Sequence, residues 1–340
     1  MKKKLNVILL VDSASIPDVS NLEGPFQENE SPELHVVKAL HLLGHRYEVV
    51  DIFNQVEPVV KKIKQMSPDV IFNMTEQFRN NRWLDKDIAG LLELLDFPFT
   101  GAGSTGLMLA GNKAICKQVL STRRIRVPGH VVIQPGRKAR LPRGIHYPLV
   151  VKPLGLDGSE GISNSSLVRN YEELTSRAEM IHQHFLQPAI AEEYIEGREV
   201  YVTVIGNKRL KVLPPREIHF NDEEGKGPVM ATSRVKWNEK YRQKWNIKFG
   251  FARIDEKTSV RIARVCRKTF RLMHMQDYCR IDIRIAPDGR IVVLEVNPNP
   301  NIAYKDEVAE SAEKAGMKYP ELINCILQLA IKRHQAYYRG

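Results

Sequence analysis

The stretch CRIDIRIAPDGRIVVLEVNPNPN, residues 279–301, constrains this chain most. Ile281, Ile283 and Ile285 alternate with Arg280, Asp282 and Arg284, the period-two signature of a strand with one buried face. Ala286-Pro287-Asp288-Gly289 is turn chemistry: proline presets φ, aspartate caps the turn and glycine takes positive φ. In the second arm Val293, Glu295 and Asn297 share a face at the same period. Folding about the turn therefore predicts a hairpin with Asp282 opposite the Val293–Glu295 region, on the face of Glu295 and Asn297. Two carboxylates and an amide oxygen beside an arginine suit Mg²⁺ bridged to a phosphate chain. The same residues also read as ordinary polar decoration of a surface hairpin.

At 340 residues the chain is too long for one small core and predicts two or three domains. No apolar run approaches the roughly 18 residues of a membrane span. The opening MKKKLNVILLVDSAS places basic residues before an apolar stretch, but Asp12 ends that stretch too soon for a signal peptide, so it reads as a first buried strand. Four scattered cysteines, with no C-x-x-C pair, predict a reducing, cytoplasmic setting and neither a zinc site nor a disulfide framework. The net charge is +11, with local basic groups at 2–4, 123–126, 236–248 and 332–339. No nucleic-acid-binding signature accompanies them, so they read as a solvated surface.

The organisation is α/β. Residues 5–12 read as a strand, 32–44 as a helix ended by Gly44, and YEVVDIF and DVIFNM as strands around a helix at 56–66. WLDKDIAGLLELLD is a further helix. This alternation predicts a parallel sheet in an N-terminal domain over 1–103. GAGSTG (101–106) is glycine-rich but lacks the strand–turn–helix context of a dinucleotide site. A central unit over 104–188 takes the helix KAICKQVLS, strands at 130–134 and 147–153 and a helix at 170–185. A third unit over 189–340 takes the hairpin and a helix near 319–335.

Four further clusters carry chemistry. In YPLVVKPLGLDGSEGI a strand ends at Lys152 and enters a glycine-rich loop, where backbone amides and an ammonium can meet phosphate oxygens. In AEEYIEGREVYV, Glu192 and Glu199 flank a turn between two strands, placed to accept from an adenine amine or ribose hydroxyls. Lys113 opens a helix after Gly111-Asn112, so its charge adds to a helix N-terminus. TSRVKWNEKYR (232–242) is cation-rich with no clear secondary structure, and reads as a mobile loop closing over a charged substrate or as a plain surface loop.

In this order the clusters resemble the ATP-grasp superfamily and, within it, D-alanine–D-alanine ligase-like proteins, from about Pro32 to Ala330. The resemblance is densest in LLELLDFPFTGAGSTGLMLAGNKAICKQVL, the VKP segment with its loop, EEYIEGRE and the hairpin. It implies two α+β units enclosing ATP after the parallel domain. Lys113, Lys152 and Ser159 would then hold phosphates, Glu192 the adenine amine and Glu199 the ribose. Asp282, Glu295 and Asn297 would bind Mg²⁺ (or Mn²⁺), Arg280 would stabilise an oxyanion, and Lys236 would close over the γ-phosphate.

The implied reaction is amide or peptide-bond formation between a carboxylate and an amine through an acyl phosphate. Such phosphoryl transfer needs charge neutralisation more than covalent help. The match is weaker on the amino-acid side. Where the ligases carry a Gly-Ser-Ser-like segment, this chain reads Asp157-Gly158-Ser159-Glu160. Where a serine holds the substrate carboxylate, it has Ala303, Tyr304, Lys305 and Asp306. Glu28, Glu30 and Glu33 are candidates for a substrate ammonium. The expected partners are thus other or broader amino-acid or peptide substrates, with no nucleic acid and no membrane; a homodimer is compatible. An ATP-grasp small-molecule kinase and a non-catalytic nucleotide-binding protein remain as alternatives.

Overall fold

A computed structural model describes residues 3–20, 22–156, 160–220 and 230–337. Its first layer is parallel. Strand β1 (Asn6–Asp12) is followed by α1 (Pro32–Leu42), β2 (Arg46–Ile52), α2 (Glu57–Met66), β3 (Val70–Asn73) and α3 (Asp85–Leu95). The strands pair in the order β2-β1-β3. β1 is central, so both of its faces are buried, as parallel strands between helices require. The start of α1 is set by Ser31, whose hydroxyl accepts from Leu34 N, with proline at the first helical position. Gly44, at φ +69°, follows its end.

The chain then forms α4 (Ser104–Gly111) and α5 (Lys113–Thr122), and enters a second sheet of β4 (His130–Ile133), β5 (Leu149–Pro153), β6 (Leu167–Val168) and, after α6 (Tyr171–Phe185), β7 (Ala189–Glu193). This sheet runs β4-β7-β5-β6 and is antiparallel. α6 covers one face through Leu174, Ala178 and Ile181.

The largest sheet begins with β8 (Arg198–Ile205), β9 (Lys211–Val212) and β10 (Arg216–Phe220), continues through the short helices α7 (Ser233–Trp237) and α8 (Glu239–Lys244), and adds β11 (Ile247–Phe251). After α9 (Glu256–Leu272) come the hairpin strands β12 (Tyr278–Ile285) and β13 (Ile291–Asn297), then α10 (Glu307–Lys314) and α11 (Tyr319–Tyr337). The order is β11-β10-β8-β12-β13, with β9 on β8. Ile281, Ile283 and Ile285 pack with α5 and α9 on one face. On the same side of the molecule's first layer, α10 and α11 share a core with Val7, Leu9 and Val36, so the chain's last helices cover its first sheet.

Three expectations need correction. β12 is a central strand with all eight residues buried, not a strand with one buried face, because β8 flanks it on one edge and β13 on the other. Its charged residues are closed in by one another and their neighbours: Arg280 holds Asp282 and reaches Glu307, and Arg284 reaches Glu199 and the Ile195 carbonyl. Second, Val293 does not share a face with Glu295 and Asn297. Asp282 pairs with Glu295 but Ile283 pairs with Val293, so Leu294 is an extra residue and the alternation breaks there. Val293 turns into the core beside Ile283. Third, 232–242 is not without secondary structure. It holds α7 and α8, and Val235, fully buried, packs with Tyr201, Ile218 and Ile247, flanked by Tyr241, Trp245 and Phe249.

Candidate functional site

The site lies where the second sheet faces the charged side of β8, β12 and β13. Register builds it row by row. Glu199 stands opposite Arg284, Tyr201 opposite Asp282 and Thr203 opposite Arg280. Across the next strand pair, Asp282 is opposite Glu295 and Arg280 opposite Asn297. The hairpin thus brings the three expected metal ligands to one corner.

Each charge there is matched. Arg280 grips Asp282 with two hydrogen bonds, Nε to Oδ1 at 2.8 Å and Nη2 to Oδ2 at 3.1 Å. Its third nitrogen reaches Glu307 at 3.4 Å. Arg284 donates to Glu199 at 2.7 Å, and the Tyr201 hydroxyl donates to the other Glu199 oxygen at 3.0 Å. The Tyr201 ring carries Lys236 and Arg280 at 5.6 and 5.3 Å from its centroid.

The lysines come from the other side. Lys113 lies 3.1 Å from Glu295. Glu192 sits between Lys117, at 2.8 Å, and Lys152, at 3.2 Å. Burial pushes both carboxyls up, but the lysines outweigh it and hold Glu192 and Glu295 below the usual carboxylate range. Three lysines against two glutamates leave positive charge for further anionic oxygens. The broken alternation at Leu294 serves the same cluster, because its carbonyl accepts from Lys117 at 3.0 Å.

Two open spaces meet here. A narrow crevice of about 90 Å³ is lined by Val150, Ile162, Ile195, Met230 and Leu294 and by the charged residues Lys152, Glu192, Glu199, Asp282 and Glu295. A larger cavity of about 710 Å³ is lined by Arg280, Asn297, Arg216, Asp306, Glu307 and Glu310, among others. Lys236 lines both. Burial, and after it the neighbouring Glu307, raises the Asp306 carboxyl, while Glu307, beside Arg280, is held low. Asp282, Glu295 and Asn297 are all hard oxygen donors, so the set fits Mg²⁺ or Mn²⁺.

Not every expected residue sits as the pattern suggested. Ser159 lies outside the described residues. At the start of α5 the Asn112 side chain accepts from Ala114 N and Ile115 N, so the helix N-terminus is capped and the charge there is Lys113 alone. Glu192 and Glu199 flank one turn but belong to different sheets. Among the substrate-ammonium candidates, Glu28 is exposed and Glu30 pairs with Lys38. Glu33 is buried at the start of α1, where desolvation and then the Glu76 charge raise its carboxyl. None of these three lines the large cavity; Glu76 does. Lys117, Tyr201 and Arg284 were not singled out from sequence. Lys117 follows Lys113 by one helical turn, and Tyr201 and Arg284 follow Glu199 and Asp282 by two positions on their strands, so the same periodicities that found their neighbours point to them.

Known proteins share this architecture. The chain is 28% identical over 345 residues to the D-alanine–D-alanine ligase of Erythrobacter litoralis, covering 100% of this chain and 98% of that protein. It is 29% identical over 266 residues to uncharacterized protein y4sG of Sinorhizobium fredii, covering 78% and 75%. The crystal structure of the D-alanine–D-alanine ligase from Bacillus anthracis complexed with ATP superposes with a TM-score of 0.72 at 18% identity, over 98% of this chain and 99% of that one. That likeness shows an ATP-grasp fold. Residues 132–328 match the family described as D-ala D-ala ligase C-terminus, which is more than half of the chain, and the protein belongs to that family.

Proposed function

We propose that this protein is an ATP-dependent carboxylate–amine ligase that forms an amide or peptide bond through an acyl phosphate, with ADP and phosphate as the other products. The observation that carries the reading is the position of Lys236. It lines both the crevice holding Glu192, Glu199, Asp282 and Glu295 and the cavity holding Arg280 and Asn297. A phosphoryl group passing from one space to the other would stay within reach of its ammonium. Bound ATP and Mg²⁺ would supply the phosphoryl group and neutralise its charge. The chain's part is to hold and orient. Lys113 and Lys152 face the phosphate side, Glu199 and Glu192 the nucleoside side, Asp282, Glu295 and Asn297 the metal, and Arg280 the developing oxyanion. The crevice is smaller than a nucleotide, so binding would part the two sheets.

The larger cavity argues against D-alanine as the acceptor. Asp306 caps α10 by accepting from Glu307 N at 2.7 Å, and Glu307 and Glu310 follow in the first turn. A helix N-terminus ordinarily favours an anion, but this one is occupied by the chain's own carboxylates. A free substrate carboxylate there would have to displace Glu307 from Arg280 or Glu310 from Arg216. The reading is therefore an amine, amino-acid or peptide acceptor whose carboxylate does not dock on α10.

Incubation with ATP, Mg²⁺, pooled amino acids and amines should give ADP, free phosphate and a new amide by mass spectrometry. Hydroxylamine should trap the activated carboxylate as a hydroxamate. A stable phosphoester as main product, with little free phosphate, would make the protein a kinase instead. A second expectation concerns α7. Lys236→Ala should lower ATP turnover and leave the denaturation midpoint nearly unchanged, because a partly exposed lysine contributes little to folding. Val235→Ala, at a fully buried position, should do the reverse and cost about 2 kcal/mol. Equal stability losses for the two variants would make Lys236 a packing residue.

A further inference from the structure

The face of the large sheet opposite the site carries a surface that the ligase reading does not use. Because β12 alternates, Ile281, Ile283 and Ile285 point to α9 and α5 while Arg280, Asp282 and Arg284 point to the site. The outer side of α9 is therefore behind the sheet and cannot contact a nucleotide in the crevice. α9 buries Ile262, Cys266, Thr269 and Phe270. Its other stripe presents Arg261, Arg264, Arg267, Lys268 and Arg271. The loop after α5 adds Arg123, Arg124 and Arg126. These eight cations line two depressions that share Arg264 and Lys268, and no acidic side chain lines either.

Carboxylate compensation is slight: the Asp288 charge is felt by Arg126. Arg261, Arg267 and Lys268 donate to the backbone carbonyls of Gly289, Leu210 and Arg123 at 2.8, 3.3 and 2.6 Å. Among the described residues none of the eight lies within ion-pair distance of a carboxylate. Arg264 and Lys268, and Arg267 and Arg271, are one helical turn apart, where like charges destabilise a helix by a few tenths of a kcal/mol each. Three of the cations gain a backbone hydrogen bond on folding and Arg271 suits the last turn of α9, but the crowding of the rest works against the fold.

We propose that this groove docks an acidic, amphipathic segment of a partner protein. Val127 and Val265, both half-buried, form the apolar floor of the first depression beneath the cationic rim, with Ile125 and Ile291 almost wholly buried under them. An acidic helix can place its apolar stripe on them and its carboxylates on the arginines, the helix-in-groove mode with electrostatic complementarity. A nucleic acid fits less well, because no aromatic side chain lines either depression to stack bases. A lipid surface fits less well, because the apolar groups are recessed below the charges and only Val260, 54% exposed, stands out.

The test uses the full chain and four fluorescent probes: a helical Leu/Glu amphipathic peptide, an oligo-glutamate of equal length, oligo(U), and vesicles of phosphatidylglycerol in phosphatidylcholine. The Leu/Glu peptide should bind about tenfold or more tighter than each of the others. Arg264→Glu with Lys268→Glu should weaken it by about tenfold or more, and the milder Arg264→Gln with Lys268→Gln by less. Val265→Ser should weaken the Leu/Glu peptide and leave oligo-glutamate unchanged. Stabilisation by ATP and Mg²⁺, read as a melting shift, should stay as in the parent protein and so certify each variant's fold. Oligo(U) or vesicles binding as tightly as the peptide, peptide binding that survives either double substitution, or no binding at all would overturn the proposal.

Discussion

Asp282→Asn should lower ATP turnover by about 10²-fold or more while the fold persists. The substitution keeps the side chain's shape and removes its charge from the corner where Asp282, Glu295 and Asn297 meet. Arg280 is not stranded, because Glu307 remains 3.4 Å away. The melting temperature should therefore move little, whereas ADP release in the presence of Mg²⁺ collapses. Glu295→Gln should behave alike in turnover, with a larger stability cost because Lys113 loses its carboxylate partner at 3.1 Å. Raising the Mg²⁺ or Mn²⁺ concentration should recover part of the activity of either variant if the lost contact is to the metal. Full ADP release from both variants would remove the hairpin from the reaction.

Glu192→Ala should destabilise the protein by about 3–5 kcal/mol. Glu192 is buried, and it is the shared counter-charge of Lys117 and Lys152. Its removal leaves two ammonium groups facing each other away from water, and buried unpaired charge is what makes such losses large. Adding Lys117→Met should return much of the stability, since it deletes one of the stranded cations and replaces it with an apolar chain of similar length. Urea denaturation of the single and double variants measures this. A double variant no more stable than Glu192→Ala would show that the loss arises from something other than stranded charge.

The hairpin was legible because its evidence is local. Alternating isoleucines and a Pro-Asp-Gly turn set both strands and the turn within 23 residues. The extra residue at Leu294 was not, because a bulge leaves no mark in composition; it is fixed by Lys117 reaching its carbonyl from a helix far back in the chain. The helices α7 and α8 were missed for a related reason. Val235, Tyr241 and Trp245 are scattered among cations and gain their meaning only against Tyr201, Ile218 and Ile247. The grouping of Asp282, Glu295 and Asn297 could be drawn from one strand pair, and the register brings them together. What pairs with Glu192 could not, since Lys117 comes from the opposite unit and the sequence pattern of EEYIEGRE says nothing of counter-charge.

The packing of α11 onto the first sheet has a consequence for how the chain is made. β1, β2 and β3 are synthesised first, but Leu322, Ile323, Ile326 and Leu327, which cover one of their faces, come last. At about 5–20 residues per second, translation leaves that apolar face uncovered for tens of seconds while the two later sheets emerge. The newborn first layer must then wait in a form that avoids its own kind, whether shielded by a chaperone or held loose. Slowing elongation near the end of the message should lengthen that exposure and raise the share of nascent chain lost to aggregates, while slowing it in the first quarter should not.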